Sequence, residues 1–197
     1  MPSQGTKKAA VPTNAVALFA RNFFKYPSML GSIVPSSPFL VNDILGHIDW
    51  KSARVVVEFG PGVGTITREV LKRLHPDASL VVIELNEDFV EYLRQTIRDP
   101  RLHIVHGSAA HVRRILAERG FNKADHIISG LPYSLLSESL RQEIVAESRE
   151  ALHPSGSLLV FQFTRKVLPY LKSSFGSVRL NFQLFNILPA MIFHCTP

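Results

Sequence analysis

From Val55 onward the chain alternates short apolar runs with amphipathic stretches, and this alternation restricts the fold more than any other feature. Residues 55–58, 80–84, 102–105, 126–129 and 158–163 are apolar runs of strand length. Nearly unbroken apolar character is what a parallel strand covered on both faces requires. Between the runs, residues 65–74, 87–97, 110–119 and 135–152 carry helical patterns. Such repetition predicts an α/β fold: a doubly wound, mostly parallel sheet with helices on both faces. Two further strand candidates, 178–185 and 190–194, bring the expected sheet to seven strands.

The first 50 residues read differently, as an N-terminal helical extension (1–50) ahead of the main domain (51–197). Val16, Phe19, Ala20, Phe23 and Phe24 recur on one face of a helical pattern over 15–26, with Arg21 and Lys25 elsewhere on it. A face of this kind can pack onto the sheet domain or lie in a membrane interface. Pro27, Gly31 and Pro35 then punctuate a connection. Ser37-Pro38 reads as an N-cap followed by proline at the first helical position, opening a second helix to about His47.

A chain of 197 residues, 46% of them apolar, can bury one substantial core. No apolar run reaches the roughly 18 residues that a membrane-spanning helix needs. The N-terminus lacks a compact apolar stretch with a small-residue cleavage site, so no secretory signal is expected. The single cysteine, Cys195, excludes an internal disulfide and a cysteine metal cluster and suits a reducing cytoplasm. A formal charge of +6 favours contact with phosphates, on nucleic acid or on anionic lipid.

E-F-G-P-G-V-G-T at 58–65 directly follows the first strand and opens a helix. Gly60, Gly62 and Gly64 allow a tight turn and close approach of a ligand to the backbone, and the helix N-terminus offers N–H groups to an anion. Glu84, about twenty residues on at the end of the second strand, suits a carboxylate that accepts from both ribose hydroxyls. A dinucleotide fingerprint runs G-x-G-x-x-G, whereas Thr65 stands where its last glycine belongs. The pattern resembles instead the first motif, E-x-G-x-G-x-G, of class I methyltransferases, which implies S-adenosylmethionine as cofactor. That resemblance places Glu58, Gly60, Gly62, Gly64, Glu84, Leu85, Ser108, Ala109 and Ser129 around it. In H-G-S-A (106–109), Ser108 occupies the position where such enzymes usually carry an acidic contact to the adenine amino group. It reads either as that contact or as a helix N-cap.

I-S-G-L-P-Y at 128–133 follows the fourth strand. It is similar to the N-L-P-Y motif of adenine-N6 methyltransferases, where the Asn amide and a Pro carbonyl bind the amino group being methylated. Gly130 stands at the Asn position and removes that amide. The ring of Tyr133 is expected either to hold a methylated ammonium by cation–π attraction or merely to cap the strand.

Together with F-F-K (23–25), G-S-I-V-P-S-S-P (31–38) and N-F-Q-L-F-N-I-L-P-A (181–190), these motifs resemble the short bacterial phospholipid N-methyltransferases. The resemblance implies successive methylation of phosphatidylethanolamine towards phosphatidylcholine. It implies a cytoplasmic enzyme, peripheral on the inner membrane, that docks on anionic lipid through its N-terminal helix. Tyr26 and Tyr133 become candidates for substrate contact, and no metal is expected. Two alternatives remain. Ribosomal RNA adenine dimethylases share the first motif and L-P-Y, though they normally carry an additional C-terminal helical domain. A non-catalytic, S-adenosylmethionine-binding membrane adaptor would account for Ser108 and Gly130.

Overall fold

The structure, a computed structural model, describes residues 38–183 and 190–197. The helical pattern over 15–26, Tyr26 and most of G-S-I-V-P-S-S-P lie outside the described residues. The first described element, α1 (Pro38–Gly46), is followed by β1 (Val55–Phe59), α2 (Thr65–Arg73), β2 (Ser79–Glu84), α3 (Glu87–Thr96) and β3 (Leu102–His106). Then come α4 (Val112–Ala117), β4 (Ala124–Ser129), α5 (Glu138–Ala151), β5 (Leu152–Gln162), α6 (Leu168–Ser174), β6 (Ser177–Gln183) and β7 (Ala190–Thr196).

All seven strands join one sheet in the order β3-β2-β1-β4-β5-β7-β6. The five strands from β3 to β5 are parallel, and β7 runs antiparallel to both β5 and β6. Alternate residues of the apolar runs feed two cores, one on each face. On one face Val56, Leu80, Val82, Ile128 and Leu159 pack with Leu40, Val41, Ile44 and Leu45 of α1 and with Ile66 and Val70 of α2. On the other, Val57, Phe59, Val81, Ile83, Ile127 and Val160 meet Ile115 and Leu116 of α4, Ile144 and Val145 of α5, and Leu171 of α6. Each such side chain contributes about 1.5–3 kcal/mol on full burial, so both faces are held firmly. The second helix read from Ser37-Pro38 is thus part of the sheet domain's core.

Two boundaries differ from the sequence expectation. Helix α5 begins at Glu138 rather than 135, because residues Tyr133–Leu135 form a separate 3-10 turn and Ser137 caps the helix, accepting the Leu140 N–H at 3.3 Å. Strand β5 begins at Leu152, well before 158. Its pairing jumps from Ala124↔Leu152 to His126↔Ser157, so the Pro154–Gly156 stretch bulges out before the buried run resumes.

β1 pairs with β2 on one side and β4 on the other, so the chain reverses its direction of winding there. The crevice outside the carboxyl ends of β1 and β4 is where such sheets take their ligands.

Candidate active site

A glycine stands one residue beyond the end of β1 and of β4, and two glycines extend the first of these turns. Gly60 N–H donates to the Ile83 carbonyl at 3.0 Å, and Gly130 N–H donates to the Phe59 carbonyl at 3.0 Å. These bonds carry the ladder past the strands and bring the two loops against each other. A Cβ on Gly60, whose φ is +67°, would stand 3.2 Å from Leu131 Cδ2. Gly64 (φ +78°) caps α2 in the left-handed conformation, and a Cβ there would meet Leu93 Cδ2 at 2.7 Å. Gly62 also has a positive φ of +55°, yet a Cβ on it would meet nothing within 4 Å. Packing therefore demands glycine at 64. At 62 only the backbone conformation demands it, and the space beyond lies open to a ligand.

A cavity opens at this crevice, walled by Gly60–Val63, by Thr65 and Ile66 at the start of α2, and by Ile83–Asn86, Phe89, Gly107–Ala109, Gly130–Pro132, Leu136, Leu140, Ile144 and Phe161. Its ionisable wall groups are two carboxylates, Glu58 and Glu84, with no lysine, arginine or histidine among the described lining residues. In a chain of net charge +6 this is a local inversion, and it favours a cationic ligand.

The Glu84 carboxylate braces the glycine loop. One oxygen accepts the Gly62 N–H at 3.1 Å and the other accepts the Asn86 N–H at 2.9 Å. Each oxygen keeps further lone-pair capacity for a diol. Burial raises the Glu84 pKa, while the N–H groups of Asn86 and Gly62 oppose that rise. Glu58, at the end of β1, is 3% exposed and accepts the Thr67 hydroxyl at 2.6 Å. Desolvation outweighs that bond and, with the nearby Glu84 charge, pushes the Glu58 carboxyl up to about 7.

Across the cavity, Leu85 lines the wall while remaining 68% exposed. Asn86 caps α3, its side chain accepting the Asp88 N–H at 2.9 Å. Ser108 acts as the cap, its Oγ accepting the Ala110 N–H at 3.3 Å, and it also lines the cavity beside Ala109.

Two expectations are corrected. Tyr133 is fully buried and its hydroxyl pairs with Ser129 Oγ at 3.1 Å, and neither residue lines the cavity. The Leu131–Tyr133 turn, closed by Tyr133 N–H on the Leu131 carbonyl at 2.9 Å, sends the Tyr133 ring down into the core beneath the loop. Its face is unavailable to a substrate, and Ser129 is its buried partner rather than a cofactor contact. Tyr26 lies outside the described residues.

Three residues that no motif announced shape the site, Phe161 from its wall and Thr67 and Gln162 from behind it. Thr67 sits on the first turn of α2 and reaches back to Glu58. Phe161, on β5, lines the cavity opposite Gly130: a Cβ on Gly130 would lie 2.7 Å from Phe161 Cζ. Gln162 Nε2 donates to the Leu131 carbonyl at 2.6 Å and to the Phe161 carbonyl at 2.7 Å, tying β5 to the loop after β4. Phe161 and Gln162 sit inside an ordinary apolar strand, where no local pattern marks them.

Known proteins resemble this chain in sequence and in fold. A family model described as ribosomal RNA adenine dimethylase matches residues 25–187. The ornithine lipid N-methyltransferase of Singulisphaera acidiphila is 32% identical over 180 residues, covering 90% of this chain and 94% of that protein. The ribosomal RNA small subunit methyltransferase A of Mycoplasma mycoides is 31% identical over 103 residues, which cover 51% of this chain and 37% of that protein. Among solved structures, the precorrin-6y C5,15-methyltransferase of Geobacter metallireducens has a similar fold, with a TM-score of 0.62 at 15% identity over 79% of this chain and 85% of that one.

Proposed function

Because the chain belongs to the ribosomal RNA adenine dimethylase family and is an S-adenosylmethionine-dependent methyltransferase, we propose that its acceptor is the headgroup amine of a membrane phospholipid, phosphatidylethanolamine and its methylated derivatives. The observation that carries this reading is the distribution of exposed large apolar side chains. Phe39, Leu85, Leu135 and Phe182 are 62%, 68%, 49% and 56% exposed. All four stand along the carboxyl edge of the sheet, where the cavity opens. Leu85 directly follows β2, and Leu135 precedes Leu136 of the cavity wall. Phe182 is near the end of β6, which runs in the same direction as β5 because both oppose β7. Phe39 lies between Pro38 and neighbours such as Val41, which share a groove with Val63 and Thr65 of the glycine loop. Arg165 adds a cation 5.8 Å over the Phe182 ring. An apolar rim with a basic side chain fits the boundary of an anionic bilayer, and a protein held there takes its substrate from the lipid plane.

S-adenosylmethionine supplies an electrophilic methyl group on a sulfonium cation. In this reading Glu84 would hold the ribose hydroxyls, Gly62 would let the cofactor lie against the backbone, and the N-terminus of α2 would face its carboxylate. Leu85, Ser108 and Ala109 would wall the adenine. The loop Gly130–Pro132 and Phe161 would receive the amine. Alignment is the main requirement of an in-line displacement. The ammonium must lose a proton before attack, and the described wall offers no imidazole or amine to take it.

A second lipid, ornithine lipid, is favoured by the Singulisphaera relative, whose match extends over most of both chains. The RNA reading draws on the family model, but Gly130 lacks the amide that motif provides. The test is methyl transfer from labelled S-adenosylmethionine to vesicles containing phosphatidylethanolamine, vesicles containing ornithine lipid, and small-subunit ribosomal RNA. Turnover on phosphatidylethanolamine is expected. Turnover on ornithine lipid alone would change the headgroup, and turnover on RNA alone would overturn the proposal.

A further inference from the structure

We propose that Phe161 sets acceptor specificity, giving the amine an aromatic wall where a hydrogen-bonding one would otherwise stand. This inference rests on the lipid-amine reading above. Gly130 and Phe161 form a single arrangement: any side chain at 130 would begin 2.7 Å from Phe161 Cζ and 3.2 Å from Cε1, so ring and side chain exclude each other. Two of the loop's carbonyls are also engaged: Leu131 O accepts from both Tyr133 N–H and Gln162 Nε2, which uses its two lone pairs, and Pro132 O accepts the Leu135 N–H at 2.9 Å. Gln162, 7% exposed, spends its other amide bond on the Phe161 carbonyl, which fixes the strand where the ring departs. The neighbouring wall, Leu136, Leu140 and Ile144, is apolar.

The acceptor end therefore presents no side-chain hydrogen-bond acceptor to an amine. That suits an acceptor methylated more than once. Each transfer forms a nitrogen–carbon bond, breaks the sulfur–carbon bond of the donor, and costs the nitrogen one hydrogen. The acceptor thereby moves towards a fixed cation with no N–H to donate. A wall that holds N–H groups loses grip at every round, whereas an aromatic ring goes on attracting the cation, so its share of the hold grows as the N–H bonds to water and backbone are lost.

The experiment measures kcat/KM on vesicles of phosphatidylethanolamine and of its monomethyl and dimethyl derivatives. It compares the wild type, Phe161→Leu, and a protein with a difluorinated phenylalanine at position 161, which keeps the ring's shape and weakens its negative face. Calorimetric binding of S-adenosylmethionine identifies folded protein. Both variants are expected to lose more on the dimethyl than on the unmethylated lipid. For Phe161→Leu the difference should be about 2- to 30-fold, the range that a cation–π contact supplies. Equal loss on all three lipids, or none, would overturn the proposal while leaving the lipid reading intact. A wild type active on none of them would instead overturn that reading. Independently of any substrate, Gly130→Ala should lower stability in the wild type and be tolerated beside Phe161→Leu. An equal effect in both backgrounds would refute the exclusion between ring and side chain.

Discussion

Replacing Glu58 by Gln should change stability in a pH-dependent way, the effect growing as pH rises. Glu58 is enclosed, with one strong bond from Thr67, and burial lifts its carboxyl from 4.5 to about 7. A carboxyl raised in the folded state contributes stability that is fully present below its unfolded value and is lost as pH rises through the folded one. At about 1.4 kcal/mol for each pH unit in that interval, ionising Glu58 in place withdraws on the order of 3 kcal/mol between roughly pH 4.5 and 8. Glutamine keeps the shape and an oxygen for the Thr67 hydroxyl but cannot ionise. Glu84 is present in both proteins, so its own rise cancels to first order in the comparison. Urea unfolding of the cofactor-free wild type and Glu58→Gln at several pH values should therefore give curves that diverge as pH rises, the variant gaining up to about 3 kcal/mol relative to the wild type by pH 8. Parallel curves would refute the assignment of a buried, largely neutral carboxyl at 58. Binding of the cationic cofactor offers an independent check. Its affinity for the wild type should tighten as pH passes about 7, and that dependence should flatten in Glu58→Gln by calorimetry.

Gly62→Val should fail to bind S-adenosylmethionine, because its side chain would project into open space on the cavity wall and strain a backbone at φ +55°; wild-type affinity by calorimetry in the folded variant would exclude this loop as the cofactor cradle. Gly64→Ala should lower the thermal midpoint, since its Cβ would stand 2.7 Å from Leu93 Cδ2 and overpacking of this kind costs roughly 1–3 kcal/mol. Leu135→Asp combined with Phe182→Asp should weaken sedimentation with anionic vesicles by about tenfold or more, as burying such side chains is worth about 1.5–3 kcal/mol each, while cofactor affinity is retained. Deleting residues 1–26 should likewise release the protein from vesicles; if the truncated chain unfolds instead, the 15–26 segment belongs to the core.

The α/β class, the strand positions and the glycine-rich turn were legible in the residues because each rests on local chemistry. Unbroken apolar runs such as Val55–Phe59 suit strands covered on both faces, and Glu58, the three glycines and Glu84 announce a strand–turn–helix cradle within one short span. The acceptor end was not legible in the same way. Tyr133 carries the same letter whether its ring faces a substrate or the core. Only the turn closed on the Leu131 carbonyl and the pairing with Ser129 direct it inward. The vacancy at Gly130 could be read as a lost amide, but what fills it comes from β5, some thirty positions away by strand pairing rather than by motif spacing. Sequence thus determined the elements and the glycine-rich edge of the sheet, because periodicity and turn chemistry act over a few residues. Tertiary structure decided which side chains line the cavity beside Gly130 and which carboxylates lose their water, because both depend on sheet register and burial between distant segments.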